Sequence, residues 1–297
     1  MWFPLTILSA LGYSLSNVGC STLVARFHKS PVFLIWVQTF VSMIFLLIIA
    51  LFYDVRTSWA FGIMVVGVIA YGGDLLFFWI LDRLDVSVLN AAWAIQTVYV
   101  SIVGFLFFHE SWNAVQGIGA SLVLIGVCLL SFFTRQVTFR KSLYLLGLLA
   151  LCFAPVNIMR KVVFMDGVQT IPFIFWMLLG RDGLAFFGPL LIPSQRRKIF
   201  QTLPTCSPTF FVLSAAVISC FFVAEFLLAS AYRLGQVSLI SVVGNIQPFF
   251  VVFLAGLLAL FIPSLAAKEL FSRRSLIVKL GSFSIVFIGL ALLGAST

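Results

Sequence analysis

Charge is what this sequence has least of. Asp, Glu, Lys and Arg make up 9% of its 297 residues, where a soluble domain carries roughly a quarter. With 62% hydrophobic residues and a mean hydropathy of +1.18, too little polar surface is left to cover a water-soluble globule. The chain reads as a polytopic integral membrane protein. Histidine is scarce, two in all. The five cysteines (Cys20, Cys128, Cys152, Cys206 and Cys220) have no CxxC or metal-ligand spacing. They read as small packing residues, and neither a metal nor a cofactor is expected. There is no phosphate loop, no HExxH and no nucleophile elbow, so enzymatic chemistry is not expected either. The net charge of +9 is a topology signal before it is a sign of nucleic-acid binding, and no nucleic-acid partner is expected. Trp2–Ala25 lacks a basic leader and a small-residue cleavage site, which predicts a retained span.

What is present is a series of apolar runs of about 20 residues, the length a helix needs to cross hydrocarbon. They fall at 2–25, 31–53, 59–81, 87–108, 112–133, 143–164, 170–192, 208–231, 237–262 and 276–295. Most prolines sit at span ends. Pro155, Pro172 and Pro248 lie inside or just within spans and predict kinks or opened backbone. Thirteen of the eighteen Lys and Arg residues fall in loops after odd-numbered spans and four in loops after even-numbered ones. That bias puts the odd loops in the cytoplasm and both termini outside.

The chain also repeats itself. Val86–Val100 (VSVLNAAWAIQTVYV) returns as Val237–Val251 (VSLISVVGNIQPFFV). At an offset of 140, Asn17 matches Asn157, Phe33 matches Phe173 and Trp36 matches Trp176. Near the end, Val115, Ser121, Val123 and Gly126 match Val278, Ser284, Val286 and Gly289. Two units of five spans, 1–134 and 135–297, follow. An odd number of spans makes the second unit enter from the opposite side, an inverted repeat of the kind that places a site near the midplane.

Polar residues inside these spans mark the candidate site, because a charge at the bilayer centre costs at least about 2.5 kcal/mol. Asp74 and Glu225 fall within one residue of equivalent repeat positions. They read as paired carboxylates for a cation, a proton or an amino group, or else one of them partners Arg181. Arg181 and Asp182, adjacent on a helix, point about 100° apart and are not expected to pair. Asn157, Arg160 and Lys161 share one face. An anionic group could be drawn there, though snorkelling of both cations to the interface is the preferred reading. Asn17 heads a polar face with Tyr13 and Cys20. Asn90, Trp93 and Thr97 share a face at i, i+3, i+7, facing Ser241, Gly244, Asn245 and Pro248 across a cavity flanked by Gln96 and Gln247. Gly117/Ser121 and Gly281/Ser284/Gly289 are small-residue stripes suited to close packing. Glu110 is placed to cap the fifth span.

The segment FFHESWNAVQGIGASLVLIGVCLLSF (107–132), with Glu110 followed by Gln116-Gly117 and Ile125-Gly126-Val127, resembles the EamA branch of the drug/metabolite transporter superfamily. The second half departs from that pattern, with Phe261-Ile262-Pro263 and a longer basic loop at the matching junction. The resemblance implies a basket of helices in which spans 1, 3, 4, 6, 8 and 9 surround a central cavity, with 5 and 10 peripheral. It also implies alternating access and export of small metabolites such as amino acids. The expectation is thus an all-α membrane protein of ten transmembrane helices in two inverted five-helix repeats around a cavity. It would be a secondary transporter of a small polar metabolite in the plasma (bacterial inner) membrane, monomeric or homodimeric, with lipid and a coupling proton or cation as partners. Asn17, Asp74, Asn90, Trp93, Thr97, Asn157, Arg181, Asn245 and Gln247 would meet the substrate; Asp74, Asp182 and Glu225 would supply coupling or charge pairing. A lipid-handling or scaffolding role without solute flux is the alternative.

Overall fold

A computed structural model describes residues 1–27, 29–81, 89, 92–132, 139–261 and 273–295. Among them the chain is helical throughout, without strands. The long helices are α1 (Trp2–Phe27), α2 (Pro31–Phe52), α3 (Ala60–Leu81), α4 (Ala92–Phe107), α5 (Ala114–Phe132), α6 (Phe139–Met165) and α7 (Thr170–Leu191). Then come a short α8 (Pro193–Thr202), α9 (Pro208–Leu234), α10 (Val237–Gly244), α11 (Gln247–Phe261) and α12 (Arg273–Ala295). Among the described residues, seven apolar stretches are long enough to cross a membrane: 2–27, 31–52, 60–81, 144–165, 170–191, 208–234 and 237–258. Shorter apolar helices, Ala92–Phe107, Ala114–Leu129 and Leu280–Ala295, stand where the fourth, fifth and tenth spans were expected.

Local chemistry sets the boundaries. Ser30 is extended at φ −62°, ψ 147°, and its hydroxyl accepts the Phe33 N–H at 3.4 Å, with Pro31 in the first turn of α2. Proline is tolerated there because its missing N–H would have been unpaired anyway. α5 opens on a capping box: Asn113 Oδ1 accepts the Gln116 N–H (2.8 Å) and Gln116 Oε1 accepts the Asn113 N–H (3.0 Å). Of the three prolines expected inside spans, Pro155 sits within an unbroken α6 and Pro172 in the first turn of α7, whose interior also holds Pro189. Pro248 does break its span, because it can offer no N–H to Gly244.

α8 was not anticipated. Its sequence PSQRRKIFQT carries Arg196, Arg197 and Lys198. Lys29, in the α1–α2 loop, donates to Thr205 Oγ1 at 3.1 Å just beyond it. The α1–α2 loop and the basic α8 segment thus meet on one face of the bundle.

Side-chain polarity runs opposite to that of a soluble protein. α2 turns Phe40, Ile44, Leu47, Ile48 and Leu51 outward while Gln38, Thr39 and Ser42 are buried; α1 buries Thr6, Ser9, Ser14, Ser16 and Asn17. Such a surface is stable only against lipid.

The halves interlock. α1 packs on α9 and α3 on α6; α3 packs on α7 and α2 on α9; α1 packs on α10 and α11, and α4 on α6. The pairs α2/α7, α4/α10 and α5/α12 complete the interface. Small residues permit the closest crossings. A Cβ at Gly67 would lie 2.0 Å from Met177 O, and one at Gly180 2.1 Å from Met64 O, so α3 and α7 touch backbone to backbone. Between α5 and α12 the packing residues are Gly119, Gly126 and Gly289; Gly117 and Gly281 face open space. This corrects the stripe read from the sequence, whose i, i+4 spacing identified a face but not which face meets the partner.

Candidate functional site

α1, α2, α3, α4, α6, α7, α9 and the α10/α11 pair enclose a cavity of about 200 Å³. Along α1 its wall runs from Thr6 to Cys20, about 20 Å of helix.

The broken span contributes backbone as well as side chains. Asn245 N–H bonds Val242 O (3.0 Å) and Ile246 N–H bonds Val243 O (3.2 Å), both one residue tighter than an α-helix. Ser241 C=O therefore loses its usual donor. It accepts instead from Thr97 Oγ1 and from Asn245 Nδ2, each at 3.0 Å, while Asn245 Nδ2 also reaches Thr97 Oγ1 at 2.8 Å. Ser14 Oγ donates to Gln247 O at 3.0 Å. Opened backbone survives at membrane depth only with such partners. Asn245 is fully buried and stands behind the wall, tying α10 to α4; Ser241, Gly244 and Gln247 form the wall itself. The expected Ser241–Pro248 face is thus split by the break between two helices.

Two charge clusters face the cavity. In the first, Arg160 Nη2 is ion-paired to Glu225, Nη1 donates to Asn157 Oδ1 at 2.6 Å, and Tyr13 donates to Glu225's other oxygen. The guanidinium lies 5.6 Å from the ring centroids of both Phe173 and Tyr232. Snorkelling is therefore the wrong reading for Arg160. A carboxylate and two rings inside the bundle serve it better than the interface. Lys161 turns away and donates to Gly235 O at 3.0 Å.

In the second cluster, Arg181 folds back on its neighbour, with Nε 2.6 Å from Asp182 Oδ1 and Nη2 3.2 Å from Oδ2. The expectation that these two would not pair fails, because the long Arg side chain bridges the angle between adjacent positions. Ser42 also donates to Asp182, and Asp74 Oδ2 lies 3.5 Å from Arg181 Nε. Phe221 stacks 4.2 Å from the Arg181 guanidinium.

Asn17, Asp74, Trp93, Thr97, Asn157, Arg181, Asp182, Glu225 and Gln247 thus share one cavity, and Asn90 lies outside the described residues. Trp93 stands edge-on to Phe153 at 5.3 Å. Trp36 and Trp176 instead donate to carbonyls, Phe186 O at 3.1 Å and Val55 O at 2.7 Å. Gln38 and Thr39 of α2, also in the wall, were missed; a glutamine midway along an otherwise apolar span was the available signal.

Glu110 acts across the halves. Phe108 and Glu110 N–H both bond Gly104 O (3.2 and 3.1 Å), and His109 takes φ 51°, a left-handed conformation that His tolerates better than most residues. The turn aims Glu110 at the start of α10, where it accepts the Val237 and Ser238 N–H groups at 2.6 and 3.0 Å. It therefore caps α10, not the fifth span, which has its own Asn113 box. Glu110→Ala should cost about 0.5–2 kcal/mol, the range for a lost N-cap, read as a lower melting temperature in detergent. Unchanged melting would refute the cap.

Residues 1–132 match the EamA-like transporter family. Over those residues the chain is similar to that family. The segment 107–132, which carried the resemblance to the drug/metabolite transporter superfamily, lies inside that match. A stretch of 59 residues is 41% identical to the uncharacterized membrane protein YvaE of Bacillus subtilis (strain 168), over 19% of this chain and 50% of that protein. The matched stretch thus spans about half the length of that curated relative. A solved structure described only as "Crystal structure of protein" superposes with a TM-score of 0.71 at 14% identity, over 98% of this chain and 96% of that one. At that identity the likeness is one of fold. The match over residues 1–132 and the apolar helices together make this an integral membrane protein.

Proposed function

We propose that the protein is a secondary active transporter that moves a small polar metabolite across the plasma membrane, in the export direction, by alternating access. The observation that carries the reading is the cavity, walled by helices from both halves, with two arginines and three carboxylates facing it.

The halves then act as two inverted five-helix repeats, 1–134 and 135–297, with α10 and α11 together forming the ninth helix. Exchanged contacts support this. Ser42 of α2 bonds Asp182 of α7, and 182 is the position 140 residues on from 42. A Cβ at Gly126 would meet Val286 and Ser282; one at Gly289 would meet Val123 and Gly119, the same contacts with the halves swapped. Rocking one repeat against the other about such an axis would open the cavity to each side in turn.

Asp74 is the coupling carboxylate in this reading, since Glu225 is already held by Arg160 and Tyr13. The groups nearest Asp74 are Arg181 and Asp182 of α7, Cys20 of α1 and Tyr71 on its own helix. In proteoliposomes, flux of a labelled solute should follow an imposed pH gradient, and Asp74→Asn should lose that dependence. Intact flux with an unchanged pH response in Asp74→Asn would remove the assignment.

A further inference from the structure

Resting on the transporter reading, we propose that the substrate is a small monocationic amine with an apolar body, its ammonium held at the free edge of Asp74. Among the described residues, two cations and three carboxylates face the cavity. Arg160 is held by Glu225 and Asn157, and Arg181 is gripped at two points by Asp182. Asp74 is the carboxylate left over. Its contact with Arg181, at 3.5 Å, is to a nitrogen that Asp182 already approaches at 2.6 Å.

Exposure separates the same groups. The Asp74 side chain keeps 23% of its surface open, against 7% for Arg181, 3% for both Arg160 and Glu225 and 1% for Asp182. Arg160 Nε has no partner, but it is buried, and its guanidinium lies against two aromatic rings. Among the described charged groups of the cavity, the most accessible is therefore an acceptor for a cation, not a cation for an anion.

A substrate carboxylate that sought either arginine would compete with Glu225 or Asp182, and leaving that charge buried without its partner is strongly unfavourable. This disfavours the zwitterionic amino acid, whose ammonium would find Asp74 while its carboxylate found no free cation. Part of the wall is aromatic. Phe77 and Phe78 follow Asp74 by one turn on α3, and Trp93, Phe153 and Phe221 also line the cavity. Ring faces attract an organic cation and accept an apolar body. At about 200 Å³ the space is smaller than the roughly 300–1,000 Å³ of drug-sized pockets, which keeps the amine small.

Phenethylamine, phenylalanine and 3-phenylpropionate share one ring and side chain and differ in charge. Binding of each to the purified full chain at neutral pH, by calorimetry and thermal shift, is the test. Phenethylamine should bind at least about ten-fold more tightly than either of the others. Asp74→Asn should lose at least about ten-fold of that affinity, and Asp74→Glu should keep most of it. Melting of each variant without ligand separates lost binding from lost folding. Tighter binding of the zwitterion or the anion, no binding of the amine, or amine binding indifferent to Asp74→Asn overturns the inference. Proteoliposome flux distinguishes the two levels. Flux of phenylalanine or phenylpropionate without the amine sinks the substrate class and leaves the transporter standing. Amine binding without flux of any solute does the reverse.

Discussion

Glu225→Gln is expected to destabilise the protein by about 3–5 kcal/mol, the loss seen when one partner of a buried ion pair is removed. Arg160 is almost wholly enclosed, and its remaining partners would be Asn157 Oδ1 and the faces of Phe173 and Tyr232. None of these carries a full negative charge, so the buried guanidinium would be left without a counter-charge. The double variant Arg160→Met/Glu225→Gln should recover most of the loss, because it removes the stranded cation along with its counter-charge. Melting of both proteins in one detergent is the measurement. A single variant that melts like the wild type, or a double that is no better than the single, would show that the pair does not hold α6 to α9. A double variant that folds but carries no solute would place the pair in the transport site as well as in the scaffold.

What could be read in advance was governed by the cost of polarity in lipid. A carboxylate or amide midway along an apolar run announces a cavity by itself, and so Asn17, Asp74, Asn157 and Gln247 were found. Who pairs with whom was not legible, because pairing depends on how two helices are rotated against each other. Arg160 looked like an interfacial cation since the sequence near it shows only the end of a span; its carboxylate is 65 residues away. Arg181 and Asp182 misled for the opposite reason. Helical geometry separates their Cβ atoms, and the length of the arginine chain cancels that separation. Glu110 was recognised as a cap, but the helix it caps belongs to the other half. The repeat of 86–100 at 237–251 was visible, yet its second copy is broken at Asn245 where the first has no proline to match Pro248. The amphipathic α8 carries too few apolar residues to register beside runs of about 20.

Gly180→Ala and Gly67→Ala should each impair folding and flux together. At both positions the new methyl group would meet backbone at 2.0–2.1 Å, Met177 O for Gly67 and Met64 O for Gly180. No rotamer change can relieve such a contact, so α3 and α7 must separate. Overpacking of this kind costs about 1–3 kcal/mol. The same movement would disturb the site, because Asp74 lies two turns beyond Gly67 and Arg181 follows Gly180. The Asp74–Arg181 contact, already 3.5 Å, would open further, and the cavity wall that α3 and α7 build together would lose its geometry. Gly117→Ala is the control. A Cβ there meets nothing within 4 Å, and alanine is the better helix former by up to about 1 kcal/mol, so this variant should melt at or above the wild-type temperature with flux intact. If all three glycine variants behaved alike, the close approach of α3 and α7 would not be what sets the cavity's geometry.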